Sequence, residues 1–424
     1  MHVIVIGAGA VGAATALALC ERGLRVTLLD QAPDAGEGTS HANGGGITPG
    51  HAEPWNPPGT IRRLLPGTHR RDPSSKIYAA AVPGMFGWGL KFLLNSRPSR
   101  YFDNAANSFR LAVYSGQVLR AWRERFELDY AAWTRGSLEV YFSREALDHS
   151  RGIRERINNP DVKMQPVDAA ECTRLEPELE PVAGEIVGGL FFPEHESGDA
   201  WLFSRAAARL AHARGAQVLF STSVSSIETR SGQFTGVTTD AGQTIGADAC
   251  VVAAGCDSPV LMRPLGLDLP IQPVKGYSAT LALSENDPAP AMPLLDLGRR
   301  IVTARFGDRL RIAGMADFAG HDREPTPERM KYLLDTAARL LPRLAHRLRT
   351  EELEPWAGLR PMTPDGPPLL GPAGIDGLYL NTGHGSMGWT QACGSAEILA
   401  DLVIGREPAI ALKGLAPEGR IRRR

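Results

Sequence analysis

The stretch MHVIVIGAGAVGAATALALCERGLRVTLLD, residues 1–30, decides the fold. Val3–Ile6 is a short apolar run that predicts a strand buried on both faces, and Arg25–Leu29 predicts a second strand. Between them, GAGAVG (7–12) leads into a segment with helical spacing, and Asp30 closes the second strand. The order of strand, glycine turn, helix, strand and acid predicts a βαβ unit that binds a dinucleotide.

Each glycine of the turn is explained by a physical requirement at its position. Gly7 permits a tight turn, Gly9 lets the backbone approach a pyrophosphate, and Gly12 lets the helix pack closely on the strand. The helix N-terminus offers N–H groups to phosphate, and Asp30 offers a carboxylate to a ribose hydroxyl. An acid at this position disfavours the 2′-phosphate of NADP, so FAD and NAD remain open. A glycine-rich turn without a ligand is the structural alternative.

Composition excludes several other classes of protein. The chain has 424 residues, 43% of them hydrophobic, and a net charge of −1 that gives no basis for nucleic-acid binding. Its five cysteines show no paired spacing and predict neither a disulfide framework nor a metal site. The apolar N-terminal stretch lacks the basic start of a signal peptide, and no other apolar run is long enough to span a membrane. We expect a cytoplasmic protein, docked at most peripherally on the inner face of the cell membrane.

Two further stretches are rich in glycine, and the first of them favours FAD over NAD. GTSHANGGG (38–46) offers N–H and hydroxyl donors that suit the longer phosphate and ribityl chain of a flavin. NTGHGSMGWT (381–390) places three glycines, a histidine and several hydroxyls between an apolar strand and an apolar helix. A flexible surface loop and an ordinary strand–helix connection are the alternatives.

These motifs together resemble one family. The chain is similar to the FAD-dependent D-amino-acid oxidase (DAO) superfamily, and within it to the catalytic small subunits of bacterial D-amino-acid dehydrogenases. The resemblance extends from Val3 to about Pro408. It rests on GAGAVG (7–12), TSHANGG (39–45), PGHAEPW (49–55), VVAAG (251–255), VKGYS (274–278), GLRPMTPDG (358–366) and NTGHGSMGWT (381–390).

The resemblance implies an α/β fold with a Rossmann-like FAD-binding domain and an α+β substrate domain built on an antiparallel sheet. Both domains are expected to be discontinuous along the sequence. We expect the FAD-binding domain at 1–50, 195–265 and 355–410, the substrate or cap domain at 51–194 and 266–354, and a solvated basic tail at 411–424.

The resemblance also implies non-covalent FAD and the residues that hold it. The C-terminal glycine turn is expected under the flavin ring, where glycines leave room and the dipole of the next helix stabilises a reduced flavin. The expected cofactor-binding residues are Gly7, Gly9, Gly12, Asp30, Thr39, Ser40, Asn43, Gly44, Gly45, Gly255, Gly383, His384, Gly385, Ser386, Met387 and Gly388.

Five residues are candidates for contact with the substrate. Arg360 is the expected clamp for a carboxylate, because a guanidinium pairs with a carboxylate through two parallel bonds; a structural salt bridge is the alternative. Tyr277 is the second candidate catalytic residue, with packing on its strand as the alternative. His51 and Trp55 are candidate pocket residues, as is Lys275, for which a solvated lysine is the alternative.

The resemblance implies oxidative deamination of D-amino acids. A hydride passes from the substrate Cα to flavin N5, the imino acid hydrolyses to a 2-oxo acid and ammonia, and a quinone or another acceptor takes the electrons. Alternatives of the same fold are a dehydrogenase of a cyclic imino acid, such as D-proline or cis-4-hydroxy-D-proline, and an oxygen-using oxidase. An NAD-dependent dehydrogenase and a non-enzymatic flavin-binding subunit are alternatives from other classes.

One stretch suggests a larger partner. Residues 79–95, AAAVPGMFGWGLKFLLN, are apolar and rich in tryptophan and phenylalanine but too short to span a bilayer. Such a segment suits a helix lying on a membrane, where a quinone is reached. A core helix is the alternative.

Overall fold

The computed structural model describes residues 1–60, 73–157, 159–351 and 353–423. Parts of the expected substrate domain and the last residue of the expected tail therefore lie outside the described residues. The described α-helices are α1 (Ala10–Glu21), α2 (Val82–Asn95), α3 (Pro98–Phe126), α4 (Arg144–Ile157), α5 (Ala169–Leu175), α6 (Ala200–Ala213), α7 (Ser258–Met262), α8 (Pro327–Leu340), α9 (Ala345–Thr350) and α10 (Gly388–Val403).

The described strands form two large sheets and three small ones. They are β1 (His2–Ile6), β2 (Arg25–Leu29), β3 (Gly46–Ile47), β4 (Ser75–Ile77), β5 (Ser137–Tyr141), β6 (Gln165–Val167), β7 (Gly188–Phe192), β8 (Glu196–Ser197), β9 (Gln217–Leu219), β10 (Val224–Arg230), β11 (Gln233–Thr239), β12 (Thr244–Gly246), β13 (Ala249–Val252), β14 (Leu267–Asp268), β15 (Gln272–Ala282), β16 (Leu294–Asp296), β17 (Ile301–Phe306), β18 (Arg309–Phe318), β19 (Glu354–Met362), β20 (Leu369–Pro372), β21 (Leu378–Thr382) and β22 (Arg422–Arg423).

The first large sheet has six strands in the order β20-β21-β13-β1-β2-β9. All neighbours are parallel except β20 and β21. Val3 and Val5 of β1 pack into one core cluster, while Ile4 and Ile6 pack into another on the opposite face. Both faces of β1 are therefore buried, which explains why its sequence is a continuous apolar run. The predicted βαβ unit is confirmed.

The second large sheet has nine strands, eight of them in the order β19-β15-β18-β17-β16-β5-β7-β6, with β4 beside β18. It is antiparallel apart from the β16–β5 and β18–β4 pairs. Helices α8 and α9 cover one face, where Leu333 and Leu348 share a core cluster with Leu281. Val302, Ala313 and Arg360 of this sheet line a cavity that the first sheet also borders.

The division into two domains remains our proposal. The segment assigned to the FAD-binding domain at 355–410 contributes its first strand, β19, to the nine-stranded sheet, where it pairs with β15. Strand β19 is therefore shared structurally between the two units. The remaining small sheets are β10-β11-β12, β3-β8 and β14-β22.

The C-terminal segment is docked on the protein, in contrast to the solvated tail that its sequence suggested. Leu415 is fully buried, and Arg420 forms a bidentate pair with Asp365 at 2.8 and 2.9 Å. Arg422 and Arg423 form β22 against β14. A single acidic partner far away in sequence explains why the arginine-rich composition was misleading.

The core-helix interpretation of residues 79–95 is also wrong. Helix α2 buries only Trp88, whereas Phe86 is 75% exposed and Leu90 is 54% exposed. A glycine-rich helix with large apolar side chains in solvent leaves a surface that a partner could cover.

Candidate active site

A cavity of about 1010 Å³ lies between the two large sheets. On one side, β1, β13 and β21 end at it; on the other, the open face of the nine-stranded sheet forms its wall. Ligands bind outside the carboxyl ends of parallel strands in this class of fold. Every expected cofactor-binding residue except Gly12 lines this cavity, and so do Arg360, Tyr277, His51 and Trp55.

The N-terminal glycine turn has the geometry that its spacing predicts. Gly7 has a φ of +103°, and an added Cβ would lie 2.6 Å from the carbonyl oxygen of Ala253. At Gly12 an added Cβ would lie 1.8 Å from the carbonyl oxygen of Gly7, so this glycine serves close helix–strand packing. At Gly9 the nearest atom is Ser40 Oγ at 3.3 Å. A side chain at Gly9 would therefore project into cavity space rather than into backbone.

Asp30 and the following loop are held by backbone groups. Asp30 accepts hydrogen bonds from the N–H groups of Ala8 at 2.5 Å and Ala32 at 2.8 Å. Burial raises its pKa, and these two donors oppose the rise. Ser40 Oγ accepts from Ala10 N at 3.0 Å, which ties the loop to the start of α1, while Thr39 Oγ1 donates to the carbonyl of Leu359.

The glycines of the second loop bring it against the nine-stranded sheet. An added Cβ at Gly44 would lie 2.8 Å from Val302, and one at Gly45 would lie 2.2 Å from Phe306. Asn43 Oδ1 accepts from Gly45 N at 2.9 Å and stabilises the turn. This loop therefore connects the two sheets beside the cavity.

Two glycines of the C-terminal turn have a different role from the expected one of leaving room for the flavin ring. Gly383 and Gly385 have φ values of +80° and +58°, and their added Cβ atoms would meet Thr363 at 2.9 Å and Met362 Sδ at 2.8 Å. These two glycines are required by the backbone and by packing against β19. Gly388 has only His384 Cβ within 4 Å, at 3.6 Å.

The cavity wall carries buried polar atoms that suit a flavin cofactor. His384 Nε2 and Asn381 Oδ1 are buried and have no hydrogen-bond partner within the described residues. Burial lowers the pKa of His384 to about 3, so the imidazole is neutral. Unpaired buried polar groups are costly unless a ligand satisfies them. The volume also lies at the upper end of ligand pockets, about 300–1,000 Å³. The residues present therefore fit FAD, which Gly9, Asp30 and the 383–388 turn would hold.

Arg360 lies on the nine-stranded wall of the same cavity. Its Nη1 donates to the carbonyl of Met315 at 2.9 Å, and its guanidinium carbon lies 5.6 Å from the ring centroid of Trp55. Burial lowers its pKa to about 10, with a further lowering by Arg300 that Asp317 partly opposes. Within the described ranges no carboxylate forms a salt bridge with Arg360, so the structural salt-bridge alternative has no support there.

The other two predicted substrate residues have protein partners. The Tyr277 hydroxyl donates to Asp317 at 2.8 Å, and Asp317 also pairs with Arg329 at 2.6 Å. The ring lines the cavity, but its hydroxyl is used in this buried group, which favours the packing alternative. Lys275 is not among the residues lining the cavity. It is fully buried and donates to Asp322 at 2.7 Å, so the solvated-lysine alternative is wrong as well.

A buried ionic network beside His51 was not foreseen from the sequence. His51 Nε2 bonds the carboxylate of Glu139, which is fully buried and also pairs with Arg154 at 2.7 Å. Arg154 reaches Glu53 at 3.3 Å. His51, Glu53 and Arg154 all line the cavity. The available signal was the one carboxylate in the otherwise uncharged strand SLEVY of β5.

Comparison with known proteins identifies the family of the chain. The family model for FAD-dependent oxidoreductases, DAO, matches residues 2–402. A protein of Paramagnetospirillum magneticum named D-amino acid dehydrogenase is 44% identical over 98% of both chains. Two further relatives have the same name. The protein from Dechloromonas aromatica is 41% identical over 96% of this chain and 98% of the relative, and the protein from Vibrio cholerae is 37% identical over 98% of both.

Solved structures share the fold at lower identity. Glycine oxidase from Geobacillus kaustophilus superposes with a TM-score of 0.75 at 22% identity, covering 98% of this chain and 97% of that one. Iminodiacetate oxidase from Chelativorans sp. BNC1 gives 0.73 at 24% identity, covering 98% of both. With a family match over nearly the whole sequence and a cavity whose residues suit the cofactor, the chain belongs to the DAO family of FAD-dependent oxidoreductases.

Proposed function

We propose that this protein oxidises D-amino acids to 2-oxo acids and ammonia and transfers the electrons to a quinone or another acceptor. The relatives named D-amino acid dehydrogenase support the substrate class, because they match along nearly their whole length. The cyclic imino acids and the oxygen-using oxidase are less favoured by these names.

The observation that carries the proposal is Arg360. Its guanidinium is largely removed from water, donates to one backbone carbonyl and has no carboxylate partner in the described part of the chain. A cation in this state is a receptor for an anion, and the planar guanidinium matches a carboxylate with two parallel hydrogen bonds. Arg300 lines the same cavity.

The protein's own residues would perform binding and orientation. Bound FAD supplies the two-electron acceptor. Arg360 would hold the substrate carboxylate and so limit the positions of Cα, because two parallel bonds fix the plane of the carboxylate. Trp55 covers the guanidinium and is itself 37% exposed, so it would shield this interaction from water at the cavity mouth. The imino acid product then reacts with water to release ammonia.

An anaerobic screen tests the substrate class. The purified yellow protein is mixed without oxygen with D-amino acids, L-amino acids, D-proline and cis-4-hydroxy-D-proline, and the visible absorbance of its flavin is followed. We expect bleaching by several acyclic D-amino acids and none by their L-enantiomers. Bleaching by the cyclic imino acids alone would replace the proposal with that alternative, and a protein that is never bleached would contradict it.

The exposed surface of α2 supports an electron acceptor that is reached at a membrane surface. None of the helices in the described ranges has both the length and the apolar character needed to cross a bilayer. Helix α2 instead exposes Val82, Phe86 and Leu90. Lys91, Arg97 and Arg100 lie nearby and are exposed, and no acidic residue occurs from 73 to 102. Apolar side chains next to cations suit the surface of an anionic bilayer, where a quinone is accessible.

A further inference from the structure

The loop PGHAEPW (49–55) forms one side of the cavity near Arg360. His51, Glu53 and Trp55 line the cavity, and the ring of Trp55 lies over the Arg360 guanidinium at 5.6 Å. Glu53 precedes Trp55 by two residues, a separation that an extended backbone covers in about 7 Å. A carboxylate thus borders the same cavity as the cation that our proposed function assigns to the substrate carboxylate.

Arg154 organises this loop from behind. Its Nε donates to the carbonyl of Gly50 at 3.3 Å, and its Nη2 reaches Glu139 at 2.7 Å and Glu53 Oε1 at 3.3 Å. Burial acts to raise the pKa of Glu139, but Arg154 and His51 overcome this effect and hold the pKa below its ordinary value. Glu139 is therefore an anion, and it makes the shorter pair with Arg154.

Glu53 has fewer donors in this network than Glu139. His51 and Arg154 both bond Glu139, whereas in the described ranges Glu53 pairs with Arg154 alone, at the longer distance of 3.3 Å. Glu53 Oε2 is buried and has no hydrogen-bond partner within the described residues. A buried carboxylate oxygen without a donor costs free energy, and a cationic donor would recover more of it than a neutral one.

We propose that Glu53 binds the ammonium group of the substrate and forms, with Arg360, a two-point receptor for a zwitterion. This inference rests on the proposed function. The carboxylate and ammonium groups of an α-amino acid are separated by a single carbon, so the protein groups that recognise them must border the same cavity, as Glu53 and Arg360 do. Glu53 thereby selects amino acids over acids that lack an amino group, and Arg154 is the residue that positions it.

A matched pair of unreactive ligands tests the inference. 2-Aminoisobutyrate has no hydrogen on Cα and is not oxidised by Cα–H cleavage, and isobutyrate is similar but lacks the amino group. Calorimetry of the FAD-loaded protein should show that Glu53→Gln weakens binding of 2-aminoisobutyrate about tenfold to a hundredfold, the range for one charge-assisted hydrogen bond. Binding of isobutyrate should be unchanged or tighter, because a negative charge that borders the cavity has been removed. Glu194→Gln, which removes a surface carboxylate paired with Lys163, should change neither affinity.

The outcomes separate this inference from the proposed function. Equal weakening of both ligands by Glu53→Gln, or a lowered melting temperature with loss of both, would assign Glu53 to the loop's structure and overturn the inference. Unchanged affinity for 2-aminoisobutyrate would overturn it too. In either case a wild-type flavin bleached by D-amino acids would leave the proposed function intact, whereas a wild-type protein that D-amino acids never bleach would remove the proposed function first.

Discussion

Met362 and His384 form an isolated antiparallel β-bridge between β19 and the C-terminal glycine turn. Arg360 precedes Met362 by two residues on the same strand. The residue assigned to the substrate carboxylate and the turn assigned to FAD are therefore connected through backbone hydrogen bonds. Such a connection keeps a substrate clamp and a cofactor site in fixed register, which oxidation at a defined carbon requires.

Gly9→Val should abolish retention of FAD while preserving the fold. The new side chain would project toward Ser40 and the cavity, and no backbone atom lies within 4 Å of the added Cβ outside the glycine's immediate surroundings. Visible absorbance after desalting measures the bound flavin. Gly152→Val on α4 is the control, because a Cβ at Gly152 meets nothing within 4 Å and the residue does not line the cavity. A fully yellow Gly9→Val protein would contradict the assigned phosphate turn.

Tyr277→Phe should affect stability more than turnover. It removes the hydrogen bond to Asp317, a bond to a charged group worth about 1.5–3 kcal/mol. Asp317 retains Arg329 at 2.6 Å, so the protein should still fold. Urea unfolding should show the loss, while kcat/KM should stay within about twofold of wild type. A large fall in kcat at unchanged stability would instead make Tyr277 catalytic.

The buried imidazole of His195 should make stability depend on pH. Its Nε2 accepts from Gly50 N at 2.9 Å, and its pKa is lowered well below 6.5 by burial first and then by His51 and Arg154. Below about pH 6.5 the unfolded protein binds a proton here that the folded protein does not, so the free energy of unfolding falls as the pH falls. His195→Gln keeps an acceptor for Gly50 and should remove about 1.4 kcal/mol per pH unit from that slope. Urea titrations between about pH 6 and 5 measure it; equal slopes would contradict the neutral imidazole.

Phe86→Asp should detach the protein from lipid. The side chain is 75% exposed on α2, and an aspartate there would oppose both apolar insertion and an anionic surface. Co-sedimentation with anionic vesicles should fall at least about tenfold, while reduction of a soluble dye by the enzyme remains unchanged. Ile404→Asp, at a site 36% exposed beyond α10, serves as the control. If wild type ignores the vesicles, α2 has a different partner.

Sequence reasoning predicted the parts of the site that depend on local order. Gly7, Gly9 and Gly12 act within one turn, and their spacing encodes both the backbone geometry and the space for phosphate. Arg360 was identified through its motif, and the structure shows a guanidinium at the cavity with no carboxylate partner in the described ranges. The backbone geometry of the glycine turn is readable from spacing because the required residues are close together in the sequence, whereas the role of Arg360 stays a prediction.

The parts that failed depend on distant partners. Lys275 was predicted to line the pocket, but its side chain is buried in an ion pair with Asp322 instead. No local sequence pattern encodes that pair. Glu53 and Arg154 lie far apart in sequence and meet only when α4 packs against the 49–55 loop. Arg420 resembled part of a solvated tail until the fold placed Asp365 beside it.

The turnover of Arg360 variants tests the central claim most directly. For the D-amino acid that bleaches the wild-type flavin fastest, kcat/KM should fall about a hundredfold in Arg360→Lys, or about 2.7 kcal/mol, since lysine keeps the charge but loses the two parallel bonds. Arg360→Ala should lose more, and both variants should remain yellow. The weak reaction of a simple amine without a carboxylate should be almost unaffected. Near-normal oxidation of the D-amino acid by Arg360→Ala would contradict the account, because the substrate carboxylate would then be held elsewhere.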